Sequence, residues 1–155
     1  MITVRAARPD EAAAVVPLYE WLFSPPGSVP PAWDAVVAAE RVRGLIDSDR
    51  ATVLVTDDLT GFCTVVLDLP SVRFGQRAWV EDLAVDPARR STGVGKALLD
   101  TAKQWAVDNG ATHLELDSGD GRLDAHRFYE REQPSWTSRC FSWWLGPPAQ
   151  PAPGA

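Results

Sequence analysis

The residues best suited to chemistry form one run, Val85-Asp86-Pro87-Ala88-Arg89-Arg90-Ser91-Thr92-Gly93-Val94-Gly95-Lys96, between an apolar strand-like stretch and an amphipathic helix-like one. Two glycines at a helix N-terminus let backbone approach a ligand closely. The unpaired amides of the first turn, helped by the helix dipole, then favour an anion such as a pyrophosphate. Spacing sorts the known phosphate loops. A P-loop needs glycine where Arg90 stands and a hydroxyl residue where Ala97 stands. A dinucleotide fingerprint needs Gly or Ala where Leu98 stands, and repeated parallel strand-helix units. What remains is Arg-x-x-Gly-x-Gly, from Arg90 to Gly95, beside the plain alternative of two glycines easing a tight turn.

Just upstream, Glu81 and Asp82 are adjacent carboxylates in Trp79-Val80-Glu81-Asp82-Leu83-Ala84-Val85. In a regular strand they point to opposite faces unless a bulge intervenes. A carboxylate among Trp79, Leu83 and Val85 is costly to bury alone, so Glu81 is either a group with work to do or half of a salt bridge to Arg77 or Arg73. Metal chemistry is not expected. His113 and His126 lack a second histidine at ligand spacing, Cys63 and Cys140 stand singly as free thiols, and the run around Asp117, Asp120 and Asp124 has Arg122 where a calcium loop needs glycine.

These groups need elements to hold them. Alternation predicts a short strand over 2–6; Pro9-Asp10-Glu11 starts a helix reaching to Phe23, kinked or divided by Pro17. Four prolines and a glycine between Ser24 and Pro31 make a loop, and a second helix runs from about Trp33 to Asp47. Residues 51–56 and 61–69 read as a hairpin, 78–85 as a further strand, 94–109 as the clearest helix, 112–116 as a strand, 124–131 as a short helix and 137–145 as a last strand. The expected fold is a mixed, mostly antiparallel α+β sheet with helices on both faces and one parallel crossover through the long helix. Residues 1–145 make one domain, and the proline-rich 146–155 a disordered tail.

The chain has 155 residues, 45% hydrophobic and 23% charged, with a net charge of −6. That balance disfavours broad attraction to nucleic acid or anionic membranes. With neither a long apolar run nor a signal-like start, a cytoplasmic location is expected.

The loop, the strand before it, and Ser118-Gly119, Arg122 and Ala125-His126-Arg127-Phe128-Tyr129-Glu130 further on together resemble the GNAT superfamily of acetyl-CoA-dependent N-acetyltransferases over roughly residues 2–145. The resemblance implies a central sheet of six to seven strands flanked by about four helices. It also implies acetyl-CoA as co-substrate and transfer of its acetyl group to a primary amine in a ternary complex. On it, Arg90, Ser91, Thr92, Gly93, Val94, Gly95 and Lys96 grip the coenzyme pyrophosphate. Backbone at Leu83, Ala84 and Val85 binds the acetyl and pantetheine portions, with Phe128 nearby.

The same likeness makes Tyr129 the general acid for the departing thiolate, against simple packing on the sheet, and Glu81 the base that removes an ammonium proton. Trp21 and Trp33, flanking the proline-rich loop, join Asp82, Glu20 and Asp34 in a candidate aromatic and acidic cleft for a cationic acceptor, a small amine or a peptide. Where relatives have Gly-Phe, this chain has Gln133-Pro134, so the turn into the last strand must differ and that strand could be exchanged in a homodimer. A non-catalytic acyl-CoA sensor and an interaction module built on Phe141-Ser142-Trp143-Trp144 are the competing readings.

Overall fold

The computed structural model describes residues 1–146. The proline-rich tail expected over 146–155 therefore lies, apart from Gly146, outside the described residues. The elements are β1 (Val4–Ala6), α1 (Ala12–Val15), α2 (Glu20–Phe23), α3 (Ala35–Asp47), β2 (Ala51–Thr56), β3 (Gly61–Ser71), β4 (Gly75–Val85), α4 (Val94–Asp108), β5 (His113–Glu115) and α5 (Leu123–Arg131). Between α1 and α2 the chain tightens into a 3-10 turn, Val16–Tyr19. Pro17 is the cause, since it brings no N–H to a helical ladder. α3 starts where Asp34 accepts the amides of Val36 and Val37, both at 2.9 Å. Among the described residues no helix is long and apolar enough to cross a membrane.

The sheet runs β1-β2-β3-β4-β5. Its first four strands are antiparallel, and β5 joins β4 in parallel after the α4 crossover. Both faces are covered. Phe62, Val53 and Val55 pack under the α1 and α3 side with Val15 and Val42, while Cys63, Val65 and Leu54 pack against Leu98 and Ala102 of α4. Every residue of β2 is consequently buried. Gly61 allows this close packing: a Cβ there would lie 2.7 Å from Val94 Cγ1 and 2.9 Å from Leu98 Cδ1.

Five strands are described among residues 1–146, not six to seven. The missing one is 137–145, which forms no strand and is exposed throughout. Gln133 adopts φ 55° and Pro134 follows it, so the chain leaves α5 in a direction, and with a missing donor, that no ladder on β5 accommodates. The hairpin of β3 and β4 is longer than the sequence suggests. It continues past Leu67 through a register shift to pair Pro70 with Gln76.

A second register shift matters more. Thr64 pairs with Asp82 but Val65 pairs with Val80, leaving Glu81 as the extra residue of a β-bulge. The bulge reverses the side-chain parity of β4. Before it, Ala78 and Val80 face α4; after it, Leu83 and Val85 do, and Ala84 turns to the α1 and α3 side.

Candidate active site

β4 delivers the chain to the glycine loop. Asp86 accepts the amide of Ala88 at 2.8 Å and opens a 3-10 turn, Pro87–Arg89. Ser91 (φ 60°) and Gly93 (φ 96°) then take left-handed conformations. For Gly93 this is inexpensive, for Ser91 it is strained, and together they reverse the chain into α4. Gly93 stands at the N-cap without a side-chain cap, so the amides of Val94, Gly95 and Lys96 have no helical acceptor and meet the dipole of a 15-residue helix. An anion of pyrophosphate type suits this cradle. A Cβ at Gly95 would lie 3.4 Å from the Phe128 ring, so the second glycine lets α5 close against the start of α4.

The charges around the loop are less available than the sequence suggests. Arg89 pairs with Asp58 at 3.3 Å, and Lys96 with Asp100 at 2.9 Å and Glu132 at 3.2 Å, bonds that raise its pKa. Arg90 is exposed and makes no ion pair among the described residues. Val94 is buried in the core and can offer only its backbone.

Beyond the loop β4 is open on one side. Its pairing with β5 covers only Arg77–Trp79 against His113–Glu115, so among the described residues Glu81, Asp82, Leu83, Ala84 and Val85 have no strand beside them on the β5 side. α5 closes this gap. Phe128 and Tyr129 sit with ring centroids 5.1 Å apart. The Tyr129 hydroxyl makes no hydrogen bond among the described residues; burial pushes its pKa up to about 12, with Cys63 and Asp117 adding to the rise and Arg122 opposing it.

The bulge gives the two carboxylates different surroundings. Glu81 reaches solvent and accepts the Trp79 indole N–H at 2.7 Å. Partial burial raises its pKa against that bond, and Asp82 and Asp117 raise it further. The alternative of a salt bridge is corrected: Arg77 serves Asp68 and Glu115, and Arg73 lies over the Phe74 ring. Asp82 points inward and accepts from the Tyr19 hydroxyl at 2.7 Å and the Thr64 hydroxyl at 3.1 Å. Burial raises its pKa and these bonds lower it.

The acceptor side is assembled differently from expectation. Trp33 does approach the carboxylates, but through Tyr19, whose ring lies 5.5 Å from Trp33 and 4.7 Å from Phe62. Trp21 packs on the same core cluster without joining that stack. Asp34 is spent as the α3 cap. Sequence reasoning missed Tyr19 and Thr64 as partners of Asp82, and the bond by which Arg122, at the start of α5, donates to the Leu22 carbonyl of α2 at 3.0 Å. The available signal for Tyr19 was its rarity, since Tyr129 is the only other tyrosine. The Ser118 hydroxyl is buried and makes no hydrogen bond among the described residues. A recess of about 160 Å³ lies elsewhere, between Met1–Thr3, the turn after β2 and Arg89. It contains none of the carboxylate and tyrosine groups just described.

Residues 14–133 match the model of the acetyltransferase (GNAT) family. The chain is 46% identical over 92 residues to YhdJ, an uncharacterized N-acetyltransferase of Bacillus subtilis, a match covering 58% of this chain and 65% of that one. It is 32% identical over 88 residues to streptothricin acetyltransferase of Streptomyces lavendulae, covering 55% of this chain and 44% of that one. The chain thus spans less than two thirds of either relative. Among solved structures, aminoglycoside N-acetyltransferase AAC(6')-Iy in complex with CoA superposes with TM-score 0.77 at 14% identity, over 94% of this chain and 95% of the other.

Proposed function

The chain belongs to the GNAT acetyltransferase family, and from that membership we propose that it transfers an acetyl group from acetyl-CoA to a primary amine of a small cationic acceptor. The observation that carries this reading is the uncapped start of α4 directly after the stretch of β4, Glu81 to Val85, that β5 leaves unpaired, with Asp117 acting on both Glu81 and Tyr129.

The residues fit the coenzyme. The free amides of Val94, Gly95 and Lys96, with exposed Arg90, suit its pyrophosphate, and the unpaired side of β4 from Leu83 to Val85 suits the amide-rich pantetheine arm. Bound acetyl-CoA supplies the acetyl group as a thioester. Tyr129 keeps its proton across the whole working pH range and donates it at Oη to the departing sulfur. Glu81, reachable from solvent, takes the acceptor's ammonium proton directly or through water so that the nitrogen lone pair is free to attack. Asp82 stays fixed by Tyr19 and Thr64 and adds negative charge beside the amine.

The acceptor class follows from electrostatics. Glu81, Asp82 and Asp117 influence one another or Tyr129 across the cleft, with Arg122 the cation acting on Tyr129. A polycation gains there and an anion does not. AAC(6')-Iy, named for aminoglycosides, shares the fold, and aminoglycosides are polycationic amines. The test is calorimetry with acetyl-CoA, followed by thiol release over a panel of aminoglycosides, polyamines, amino acids and anionic amines. Saturable coenzyme binding with turnover confined to cationic acceptors is the expected result. Binding without turnover on any amine overturns the catalytic reading, and preference for anionic amines overturns the acceptor class.

A further inference from the structure

We infer that Trp79 is the positioning residue for Glu81, with Arg77 holding the indole in place; the inference rests on the reading of Glu81 as the base that takes the acceptor's proton. The bulge makes Glu81 the unpaired residue of β4 and leaves it exposed, where a long acidic side chain ordinarily moves among rotamers. Here one oxygen is taken. The indole Nε1–H of Trp79, two residues earlier on the same strand, donates to Oε2 at 2.7 Å, whereas Oε1 makes no hydrogen bond among the described residues. The carboxylate is thus held at one oxygen and open at the other, as a base aimed at an incoming proton must be. An indole N–H donates and has no lone pair to offer, so it favours the ionised carboxylate and cannot take the proton that Glu81 collects.

The ring is itself fixed. The Arg77 guanidinium carbon lies 4.8 Å from the centroid of the half-buried Trp79 ring. Arg77 in turn forks onto Asp68 through Nε at 3.0 Å and Nη2 at 2.7 Å, and reaches Glu115 through Nη1 at 3.1 Å. Asp68 belongs to β3 and Glu115 to β5, so the strands on both sides of β4 anchor the plane on which the indole rests.

Trp79 is also the last residue of β4 that β5 pairs, directly opposite Glu115. The stack therefore ends where the open stretch begins, and its bond carries the order of the paired sheet to the first carboxylate beyond it. Arg77 has its own two carboxylates and acts on Glu81 only through the ring. The other charged or titratable groups acting with Glu81 are Asp82 on its own strand, Asp117 after β5, and Tyr19 from the turn before α2. Both aspartates disfavour its charge, and the Trp79 bond favours it.

Proton–nitrogen spectra of the isotopically labelled full chain test the bond apart from activity. The indole signal missing in Trp79→Phe, or displaced in Glu81→Gln, identifies Trp79. It should move with pH in the wild-type chain and stay still in Glu81→Gln. Kinetics test the role. Trp79→Phe keeps an aromatic ring beside Arg77 and removes the donor, so kcat should fall about tenfold with the KM for acetyl-CoA unchanged. The ascending limb of kcat/KM for the acceptor should shift to higher pH, because the lost bond favoured ionised Glu81. In a Glu81→Gln background the same substitution should cost nothing further, since a positioning residue acts only through the group it positions. A Trp79 signal indifferent to pH and to Glu81→Gln overturns the proposal. So does an unmoved limb in Trp79→Phe, or an additive loss in the double variant. A titrating Trp79 signal in a protein whose Glu81→Gln variant keeps its limb and its turnover would instead sink the reading of Glu81 as base, and the positioning role with it, while the bond stands.

Discussion

At the scale of single residues, the two proposed roles fall on groups in different environments. Burial pushes the Tyr129 pKa up to about 12, which suits the proposed proton donor. Replacing it with phenylalanine keeps the ring against Phe128 and removes only the proton. Turnover should fall at least about tenfold, the usual scale for a lost general acid, while acetyl-CoA affinity by calorimetry changes little. An unchanged kcat removes the role. Glu81 is the opposite case: partial burial raises its pKa from the ordinary carboxylate value, and the side chain is open to solvent. Activity should therefore rise with pH as Glu81 deprotonates, the ascending limb of kcat/KM lying above the ordinary carboxylate value. In Glu81→Gln that limb should vanish along with most of the turnover. A limb that survives there but disappears in Asp82→Asn would transfer the base to Asp82.

At the scale of elements, the catalytic parts depend on how α4 and α5 seat on the sheet. Gly61 sets the first of these distances, because any Cβ there collides with fully buried Val94 and Leu98. Gly61→Ala must push α4 outward, at roughly 1–3 kcal/mol of stability, and the same displacement moves the amides that receive the coenzyme. A lower Tm together with several-fold weaker acetyl-CoA binding is the expected pair of results. Gly44→Ala on exposed α3, where a Cβ meets nothing within 4 Å, should instead stabilise by roughly 0.5–1 kcal/mol and leave binding alone. Elements were legible where signals are local. The β-branched runs of β2 and β3, Asn109-Gly110 at the end of α4 and the consecutive glycine loop are each specified by neighbours in sequence. The bulge at Glu81 was not, because parity on β4 depends on how β3 lies against it. The Tyr19–Asp82 bond was not either, since it joins groups 63 residues apart. The last strand failed for a related reason. Its composition favours extended backbone, but a strand requires an edge within reach, and Gln133-Pro134 directs it past its own.

At the scale of the whole molecule, the charge of −6 poses a problem for binding an anionic coenzyme. The basic side chains near the loop do not resolve it, since Arg89 and Lys96 are paired with Asp58, Asp100 and Glu132. Fixed dipoles do: the amides at the start of α4 act over a few ångströms, where the field of distant carboxylates is already weak. The proposed cationic acceptor would meet the reverse situation, drawn by the summed acidic field toward Glu81, Asp82 and Asp117. The two substrates should then respond differently to salt. Raising ionic strength from about 0.01 M to about 0.5 M shortens the screening length from roughly 30 Å to a few ångströms, which removes long-range attraction and leaves close contacts. With an aminoglycoside as acceptor, its KM should climb several-fold across that range, while the KM for acetyl-CoA stays nearly constant or falls slightly as repulsion is screened. Steady-state kinetics with each substrate varied in turn would show this. Parallel rises in both constants would mean that the coenzyme, too, is held by the long-range field, and that the paired arginine and lysine are released when it binds.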